Sequence, residues 1–243
     1  MNRGGGRTAR IAHAYGNRRQ TIETATAADI DFIEADVWHR ASEVWVRHER
    51  RLGFLPLLYD RTPRGVDTVG PWTLPVLPGG YYLRLDVDSL RLTELLERTR
   101  GKSRLLLDIK DEGEGEEARA CARTLTRVLA EARCEESVII CGQTNVLGSI
   151  REAGPRLDVR YSIERQQQWE AFLRRLDAEP ALRGVCMKRE FLTDSIAHIL
   201  KENGLEVFCW TVDDPAEARR LVELGIDGII SNSITLLERL DGA

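Results

Sequence analysis

Residues 104–141, RLLLDIKDEGEGEEARACARTLTRVLAEARCEESVIIC, contain the clearest signal of the fold class. The stretch opens with an apolar run at 104–110 and closes with another at 137–141. Between them, from Ala118 to Ala132, apolar residues recur at the i, i+3, i+4, i+7 spacing of one buried helix face. A strand, a helix of this length and a second strand predict a βαβ unit with parallel strands.

The same alternation recurs along the chain. Further strands are predicted at residues 9–14, 32–37, 44–48, 158–162, 184–188, 206–212 and 228–231. Helical patterns lie between them, at residues 21–29, 89–98, 145–152, 166–178, 192–202, 215–224 and 234–240. About eight such units predict an α/β protein, a (β/α)8 TIM barrel formed by one domain over residues 1–243. A doubly wound open sheet is the alternative, and it is less favoured because no glycine-rich phosphate fingerprint follows the first strand.

One segment, residues 50–88, interrupts this alternation. It holds five of the chain's eight prolines, many of its aromatic residues and no helical period. We therefore expect an irregular insertion after the second strand, either a functional loop or lid, or a plug that closes one side of the barrel.

Composition excludes several classes of protein. The chain has 42% hydrophobic and 30% charged residues and a formal net charge of −4, which argues against a nucleic-acid-binding protein. No stretch approaches the ~18 uninterrupted apolar residues of a membrane span, and the N-terminus lacks the apolar core of a secretory signal. The five cysteines show no CxxC spacing. These features favour a cytoplasmic protein with reduced thiols and no stable membrane insertion.

Acidic residues mark the ends of two predicted strands, where a (β/α)8 barrel carries its active site. Glu34 and Asp36 point to one face of a strand because side chains alternate, and Asp108 ends the next barrel strand. Burying such like charges is costly unless a cation compensates them. Three carboxylates predict a site for a divalent metal, Mg²⁺ or Ca²⁺, since hard cations prefer oxygen ligands.

Two histidines and a lysine end neighbouring predicted strands. His13 and His48 suit general acid–base catalysis because imidazole titrates near neutral pH, although a histidine at the end of an apolar strand is often a core residue. Lys110 can bind phosphate, or it can form a salt bridge to Asp108. His39 and His198 are expected at the surface.

These motifs resemble those of the glycerophosphodiester phosphodiesterase family. The family's His-Arg-Gly, Glu-Asn-Thr, Glu-x-Asp-Val and His-Asp patterns are matched by HAYG at 13–16, RQT at 19–21, EADV at 34–37 and HE at 48–49. Its Glu-x-Lys appears as DIK at 108–110, and its closing patterns appear as WTVDD at 210–214 and GIDGIISN at 225–232. The resemblance spans almost the whole chain.

The resemblance implies a metal-dependent phosphodiesterase that hydrolyses glycerophosphodiesters to glycerol phosphate and an alcohol. It implies the following roles: acid and base for His13 and His48, metal ligands for Glu34, Asp36 and Asp108, a phosphate contact for Lys110, and a substrate contact for Trp210.

The sequence departs from the family pattern in the first loop and at two further positions, where Asp108 replaces a glutamate and Glu49 replaces an aspartate. Ala14 replaces the family's arginine, and Arg19 and Gln20 replace its Glu-Asn pair. We hypothesise that Arg18 and Arg19 bind phosphate instead of the missing arginine, with Lys188 as a further phosphate contact.

The sequence leaves three functions open. The first acts on small glycerophosphodiesters. The second acts on a lysophospholipid or sphingolipid, whose acyl chain would contact apolar residues of the insertion, namely Phe54, Leu55, Trp72, Leu74, Val76, Tyr81 and Tyr82. The third is a weakened barrel that binds a phosphorylated ligand without turnover. The head group, the choice between Mg²⁺ and Ca²⁺, and a homo-oligomeric state stay open.

Overall fold

The computed structural model describes residues 7–53, 55, 57–60, 73–77, 81–84, 90–142, 144–176, 179 and 182–240. In chain order its strands are β1 (Ala9–Ala12), β2 (Phe32–Arg40), β3 (Glu43–Val46), β4 (Arg50–Arg51), β5 (Leu58–Asp60), β6 (Thr73–Leu77), β7 (Tyr81–Arg84), β8 (Leu90–Arg91), β9 (Arg104–Ile109), β10 (Val138–Gly142), β11 (Asp158–Ile163), β12 (Gly184–Lys188), β13 (Glu206–Trp210) and β14 (Gly228–Ser231). Its α-helices are α1 (Arg19–Ala27), α2 (Leu92–Thr99), α3 (Gly115–Ala132), α4 (Thr144–Ala153), α5 (Gln166–Leu176), α6 (Asp194–Glu202), α7 (Pro215–Glu223) and α8 (Ile234–Glu238).

Eight parallel strands close into a barrel. Strands β2, β9, β10, β11, β12, β13 and β14 pair in that order, and β1 pairs in parallel with both β14 and β2. Because the first and last barrel strands meet, the barrel itself has no open edge. This closure confirms the predicted (β/α)8 barrel and excludes the open sheet.

Side-chain alternation divides the core into two parts. Residues facing the helices form the larger cluster, which includes Ala118, Leu125 and Leu129 of the α3 face that the spacing predicted. Residues facing the barrel axis form a smaller apolar cluster, made up of Ile11, Phe32, Leu106, Ile139, Cys141, Cys186, Phe208 and Ile230. The second cluster fills the barrel below its mouth, so polar residues two positions further along the same strands face the mouth.

Strand β2 continues beyond the barrel into a hairpin. Residues 37–40 pair antiparallel with β3 through a two-residue turn at Ala41 and Ser42, whose φ angles are 48° and 63°. Positive φ at both positions matches the twist of a tight hairpin. The chain therefore turns back towards the barrel, and His48 follows this return strand.

The insertion contains regular structure in its described part. Strands β4, β5, β7 and β6 form a small antiparallel sheet in that order. The sequence predicted an irregular segment because these strands are only two to five residues long and β6 includes Pro75, so no alternation is long enough to detect. Phe54 and Trp72 lie outside the described residues, as do the side chains of Leu74 and Val76.

Candidate active site

A cavity of about 280 Å³ lies at the carboxyl ends of the barrel strands. It brings together seven of the residues predicted for the site, which are His13, Glu34, Asp36, His48, Asp108, Lys110 and Trp210. Leu106, Cys141, Ser162, Cys186, Thr211 and Ile230 complete its lining. The seven predicted residues thus come from five different strands or strand ends.

Three carboxylates meet at the bottom of this cavity. One oxygen from each of Glu34, Asp36 and Asp108 lies within 4.8 Å of the others. Burial, followed by the charges of Asp36 and Asp108, raises the pKa of Glu34 well above its usual range. Burial also raises the pKa of Asp108. The cluster therefore holds more negative charge than its surroundings neutralise.

Lys110 is the cation nearest to this cluster. Its Nζ lies 2.8 Å from Asp36 Oδ1 and also bonds to Asp108. Burial opposes the charged amine, but Asp108 and Asp36 outweigh it and raise the pKa of Lys110 well above its ordinary value. The salt bridge considered for Lys110 is thus present, and it lies inside the site.

The first loop holds two of the carboxylates in place. The backbone N–H of Ala14 donates to Glu34 Oε2 at 2.5 Å, and Asn17 Nδ2 donates to Asp36 Oδ2 at 2.6 Å. The Asp36 N–H in turn donates to Asn17 Oδ1 at 2.9 Å. Gly16 permits this close approach, because a Cβ there would lie 2.5 Å from the Cβ of Ala35.

A hydrogen-bonded chain from the last two barrel strands orients His13. Its Nδ1 lies 2.9 Å from Asn232 Oδ1, and Asn232 Nδ2 donates to Asp213 Oδ2 at 2.7 Å. Ser231 Oγ and the Asn232 N–H also donate to Asp213, both at 2.8 Å. Burial acts against ionisation of Asp213, but these bonds outweigh it and lower its pKa. Because an amide oxygen only accepts, Nδ1 carries the proton, and Nε2, 4.0 Å from Glu34 Oε2, faces the carboxylates.

The inserted sheet orients His48. The His48 Nδ1 lies 2.9 Å from Oδ2 of Asp60, a buried residue at the end of β5. The carboxylate accepts the Nδ1 proton and leaves Nε2 as the ring nitrogen available for the cavity. Glu49, which directly follows His48, instead faces Arg84 of β7 at 3.7 Å.

Four supporting residues were missed at the sequence level, namely Asn17, Asp60, Asp213 and Asn232. Asp213 and Asn232 lie inside the quoted WTVDD and GIDGIISN stretches, so those motifs carried a usable signal. Asn17 stands in the loop after His13. Asp60 had no signal, because its strand is three residues long and lies within the insertion.

The structure does not bring three of the predicted phosphate contacts into the cavity. The Arg19 guanidinium is held by Glu94 of α2, with Nε and Nη2 2.6 and 2.8 Å from its two carboxylate oxygens. Arg18 precedes α1 and does not line the cavity. Lys188 ends β12 opposite Trp210 but stands outside the lining.

Of the two histidines expected at the surface, only one is there. The side chain of His198 is 72% exposed. His39 is half-buried, and its Nε2 lies 3.2 Å from the Thr124 hydroxyl, because β2 extends into the hairpin and carries His39 against α3. In the part of the chain that the structure describes, no helix is both long and apolar enough to cross a membrane.

The carboxylate cluster fits a divalent metal ion. Its donors are all oxygens, Glu34 and Asp36 are buried and Asp108 is half-buried, and the cluster contains three acidic groups against the single ammonium of Lys110 within bonding distance among the described residues. This donor set suits a hard cation. Glu34, Asp36 and Asp108 would hold the ion.

Comparison with known proteins identifies the family. The model of the glycerophosphoryl diester phosphodiesterase family matches residues 16–236. The chain belongs to this family. It is therefore a phosphoric diester hydrolase of the glycerophosphoryl diester phosphodiesterase family, in agreement with the motif resemblance. No curated protein sequence matches the chain.

Solved structures of glycerophosphodiester phosphodiesterases share the fold. A candidate enzyme of this kind from Silicibacter pomeroyi has a TM-score of 0.75 at 19% identity, covering 98% of this chain and 94% of its own. A phosphodiesterase from Oleispira antarctica, solved with the product sn-glycerol-3-phosphate, has a TM-score of 0.71 at 16% identity and 97% coverage of both chains. A Thermotoga maritima glycerophosphodiester phosphodiesterase has a TM-score of 0.67 at 18% identity, covering 97% of this chain and 99% of its own.

Proposed function

We propose that this family member hydrolyses glycerophosphodiesters to glycerol phosphate and an alcohol, with a divalent metal and with His13 and His48 as acid and base. One observation carries the proposal. Both imidazoles border the cavity that contains the Glu34, Asp36 and Asp108 cluster, and each has its Nδ1 held by an acceptor.

The two imidazoles suit opposite proton transfers. With Nδ1 occupied, Nε2 of each ring is the atom that exchanges a proton with the substrate. One ring accepts the proton of the attacking hydroxyl or water, and the other donates a proton to the leaving alcohol oxygen. The P–O bond to the attacking oxygen forms as the bond to the leaving oxygen breaks, so the two rings exchange their protonation states in this displacement step. Proton exchange with water then restores the starting state of both rings and completes the turnover.

The remaining polar groups act on the phosphate charge. A bound Mg²⁺ or Ca²⁺ supplies Lewis-acid stabilisation of the phosphoryl oxygens. Lys110 adds a fixed cation beside Asp36 and Asp108 and suits a contact to the same phosphate. Trp210 lines the cavity wall and suits contact with the alcohol portion of the substrate.

Phosphate binding by Arg18, Arg19 and Lys188 is a prediction from the sequence. Because the Arg19 guanidinium is paired with Glu94, the proposed phosphate site does not depend on Arg19. Replacing Arg18 and Arg19 together with alanine tests the original hypothesis, since it requires a large rise in KM for a phosphodiester.

The substrate proposal favours small diesters over acylated ones. Most of the apolar residues that would contact an acyl chain lie outside the described side chains, so the lysophospholipid or sphingolipid alternative stays a prediction. Three other properties are also predictions from the sequence, namely the cytoplasmic location, the single domain over residues 1–243 and a homo-oligomeric state.

A metal-dependent screen tests the proposal. The purified protein is assayed on glycerophosphocholine, glycerophosphoethanolamine, glycerophosphoglycerol and their monoacylated forms, before and after chelation, and again after addition of Mg²⁺ or Ca²⁺. We expect hydrolysis of the deacylated diesters that is lost on chelation and restored by metal. Hydrolysis confined to the acylated forms would replace the substrate assignment, and binding without turnover would identify a ligand-binding barrel.

A further inference from the structure

A second concave site lies beside the active-site cavity. It has a volume of about 260 Å³, and the hairpin, the inserted sheet and the loop after β9 contribute its walls. We call it the arginine groove after Arg40, Arg47, Arg50 and Arg51; the other residues lining it are Trp38, His39, Tyr59, Lys110, Asp111 and Glu112.

The charges in the arginine groove do not balance. Four guanidinium groups face two carboxylates, Asp111 and Glu112. Glu112 pairs with Arg50 at 3.2 Å. The Asp111 carboxylate already accepts a hydrogen bond, because the backbone N–H of His39 donates to its Oδ2 at 2.6 Å. The groove therefore has an excess of positive charge.

Three of the guanidinium groups have no carboxylate within ion-pair distance among the described residues. Arg47 Nε donates to the Glu49 carbonyl at 3.1 Å, and Arg51 Nε donates to the Leu55 carbonyl at 2.7 Å. Arg40 ends β2 with no ion pair to a described residue. Burial, with the like charges of Arg51 and Arg40, lowers the pKa of Arg47 although Glu49 opposes the shift. Crowded cations in a concave site are stabilised by a bound anion.

The arginine groove and the active-site cavity share one wall. Lys110 lines both the cavity and the groove. On the cavity side its Nζ lies 2.8 Å from Asp36 Oδ1. Tyr59, in the groove, is adjacent to Asp60, which orients His48. A molecule with its phosphodiester in the cavity can therefore extend past Lys110 into the groove.

We infer that the arginine groove binds a second anionic group, a phosphomonoester or a carboxylate, on the alcohol side of the substrate. The inference rests on the proposed function and narrows its substrate class to diesters whose head group is itself anionic. Guanidinium groups suit such groups because they offer paired donors to phosphate and carboxylate oxygens. Free inorganic phosphate has the same chemistry, and the experiment separates the two sources.

The test compares a matched pair of diesters, glycerophosphoglycerol and the same molecule with a terminal phosphomonoester. In the wild-type protein with metal, kcat/KM is expected to be about tenfold or more higher for the phosphorylated diester. The combined substitution Arg40→Gln and Arg47→Gln should remove most of this ratio. The control is the double substitution Arg119→Gln and Arg127→Gln on the exposed face of α3, which also removes two positive charges and should leave the ratio unchanged.

Binding to His13→Ala protein separates this inference from the proposed function. Calorimetry on that background measures the affinity of both diesters without turnover, and the phosphorylated one should bind about tenfold more tightly until Arg40 and Arg47 are replaced. Equal affinities would overturn the inference, even if wild-type protein hydrolyses both diesters. Faster hydrolysis of glycerophosphoglycerol on addition of inorganic phosphate would assign the groove to a free anion and would also overturn it. If the preference for the phosphorylated diester survives the Arg40→Gln and Arg47→Gln substitutions, the second anion binds outside the arginine groove. This result would also overturn the inference.

Discussion

The two histidines of the cavity are supported by different parts of the molecule. His13 is held by Asn232 and, behind it, Asp213, which follow the last two barrel strands. His48 is held by Asp60 of the inserted sheet. One imidazole thus has a neutral acceptor supplied by the barrel, and the other has a charged acceptor supplied by the insertion. The insertion therefore contributes a supporting residue to the active site, although the barrel closes without it.

Replacing either histidine should produce the largest effect. His13→Ala and His48→Ala each remove one proton-transfer group, so we expect kcat/KM to fall by about 10²- to 10⁴-fold. The assay is metal-dependent diester hydrolysis, with His198→Ala on the exposed face of α6 as the matched control. Full activity in either cavity variant would show that the acid and base have been assigned wrongly.

Loosening the inserted sheet should weaken the support of His48 by Asp60 and leave the support of His13 by Asn232 unchanged. Arg84 and Glu49 are both buried, with Nη1 3.7 Å from Oε1, and removing one charge from a buried pair costs about 3–5 kcal/mol. Arg84→Met should therefore speed proteolysis within residues 50–88 and lower activity.

The matched control for this variant is Arg91→Met, since Arg91 forms an exposed pair with Glu43 at 3.2 Å. Adding Glu49→Leu to Arg84→Met should restore resistance to the protease by removing the unpaired carboxylate. Equal proteolysis of the Arg84→Met and wild-type proteins would contradict a structural role for this pair.

The two residues that accept the Nδ1 protons, Asp60 and Asn232, should differ in how much they contribute to kcat. Asp60→Asn replaces a charged acceptor of the Nδ1 proton and should lower kcat by about a hundredfold or more, with a smaller change in KM. Asn232→Ala removes a neutral acceptor and should lower kcat by about tenfold, because hydrogen bonds to ionised groups are roughly twice as strong. Steady-state kinetics of the two variants decide the point. Equal losses would mean that the charge of the acceptor is unimportant.

The smallest effect concerns acid stability. Hydrogen bonds lower the pKa of Asp213 in the folded protein, so its contribution to stability is complete above the ordinary aspartate pKa and is lost as pH falls through the lowered value. Asp213→Asn should make the free energy of unfolding less dependent on pH in the acid range. Urea unfolding between about pH 2 and pH 5 measures this. An unchanged pH dependence would show that the Asp213 bonds are not formed in solution.

The barrel strands could be predicted because apolar runs separated by helical periods are a strong local signal. Their ends were less certain: the strand predicted over residues 32–37 extends to Arg40, since the turn at Ala41 and Ser42 uses positive φ without glycine or asparagine. That difference moved His39 from the expected surface to a half-buried position. Local sequence carries no information about a turn whose residues do not favour it.

Much of the site could also be predicted, because side-chain alternation along a strand fixes which residues face the barrel mouth. Glu34, Asp36, Asp108 and Lys110 follow from this rule and meet in one cavity. Contacts between distant segments could not be predicted. Asp60 reaches His48 only through strand pairing inside the insertion, and the side chain of Arg19 bonds to Glu94, which lies 75 residues away in the sequence.

The carboxylate cluster is proposed to hold a metal on which hydrolysis depends. The most direct test of this proposal is the rate of sn-glycerol 3-phosphate release from glycerophosphoglycerol as a function of Mg²⁺ or Ca²⁺ concentration, in the wild-type protein and in Asp36→Asn. Asp194→Asn, at the exposed start of α6, is the matched control. We predict saturable metal activation in the wild-type and control proteins, and a loss of at least about a hundredfold in Asp36→Asn. Hydrolysis at the wild-type rate in Asp36→Asn, or in the wild-type protein after complete chelation, would contradict the account.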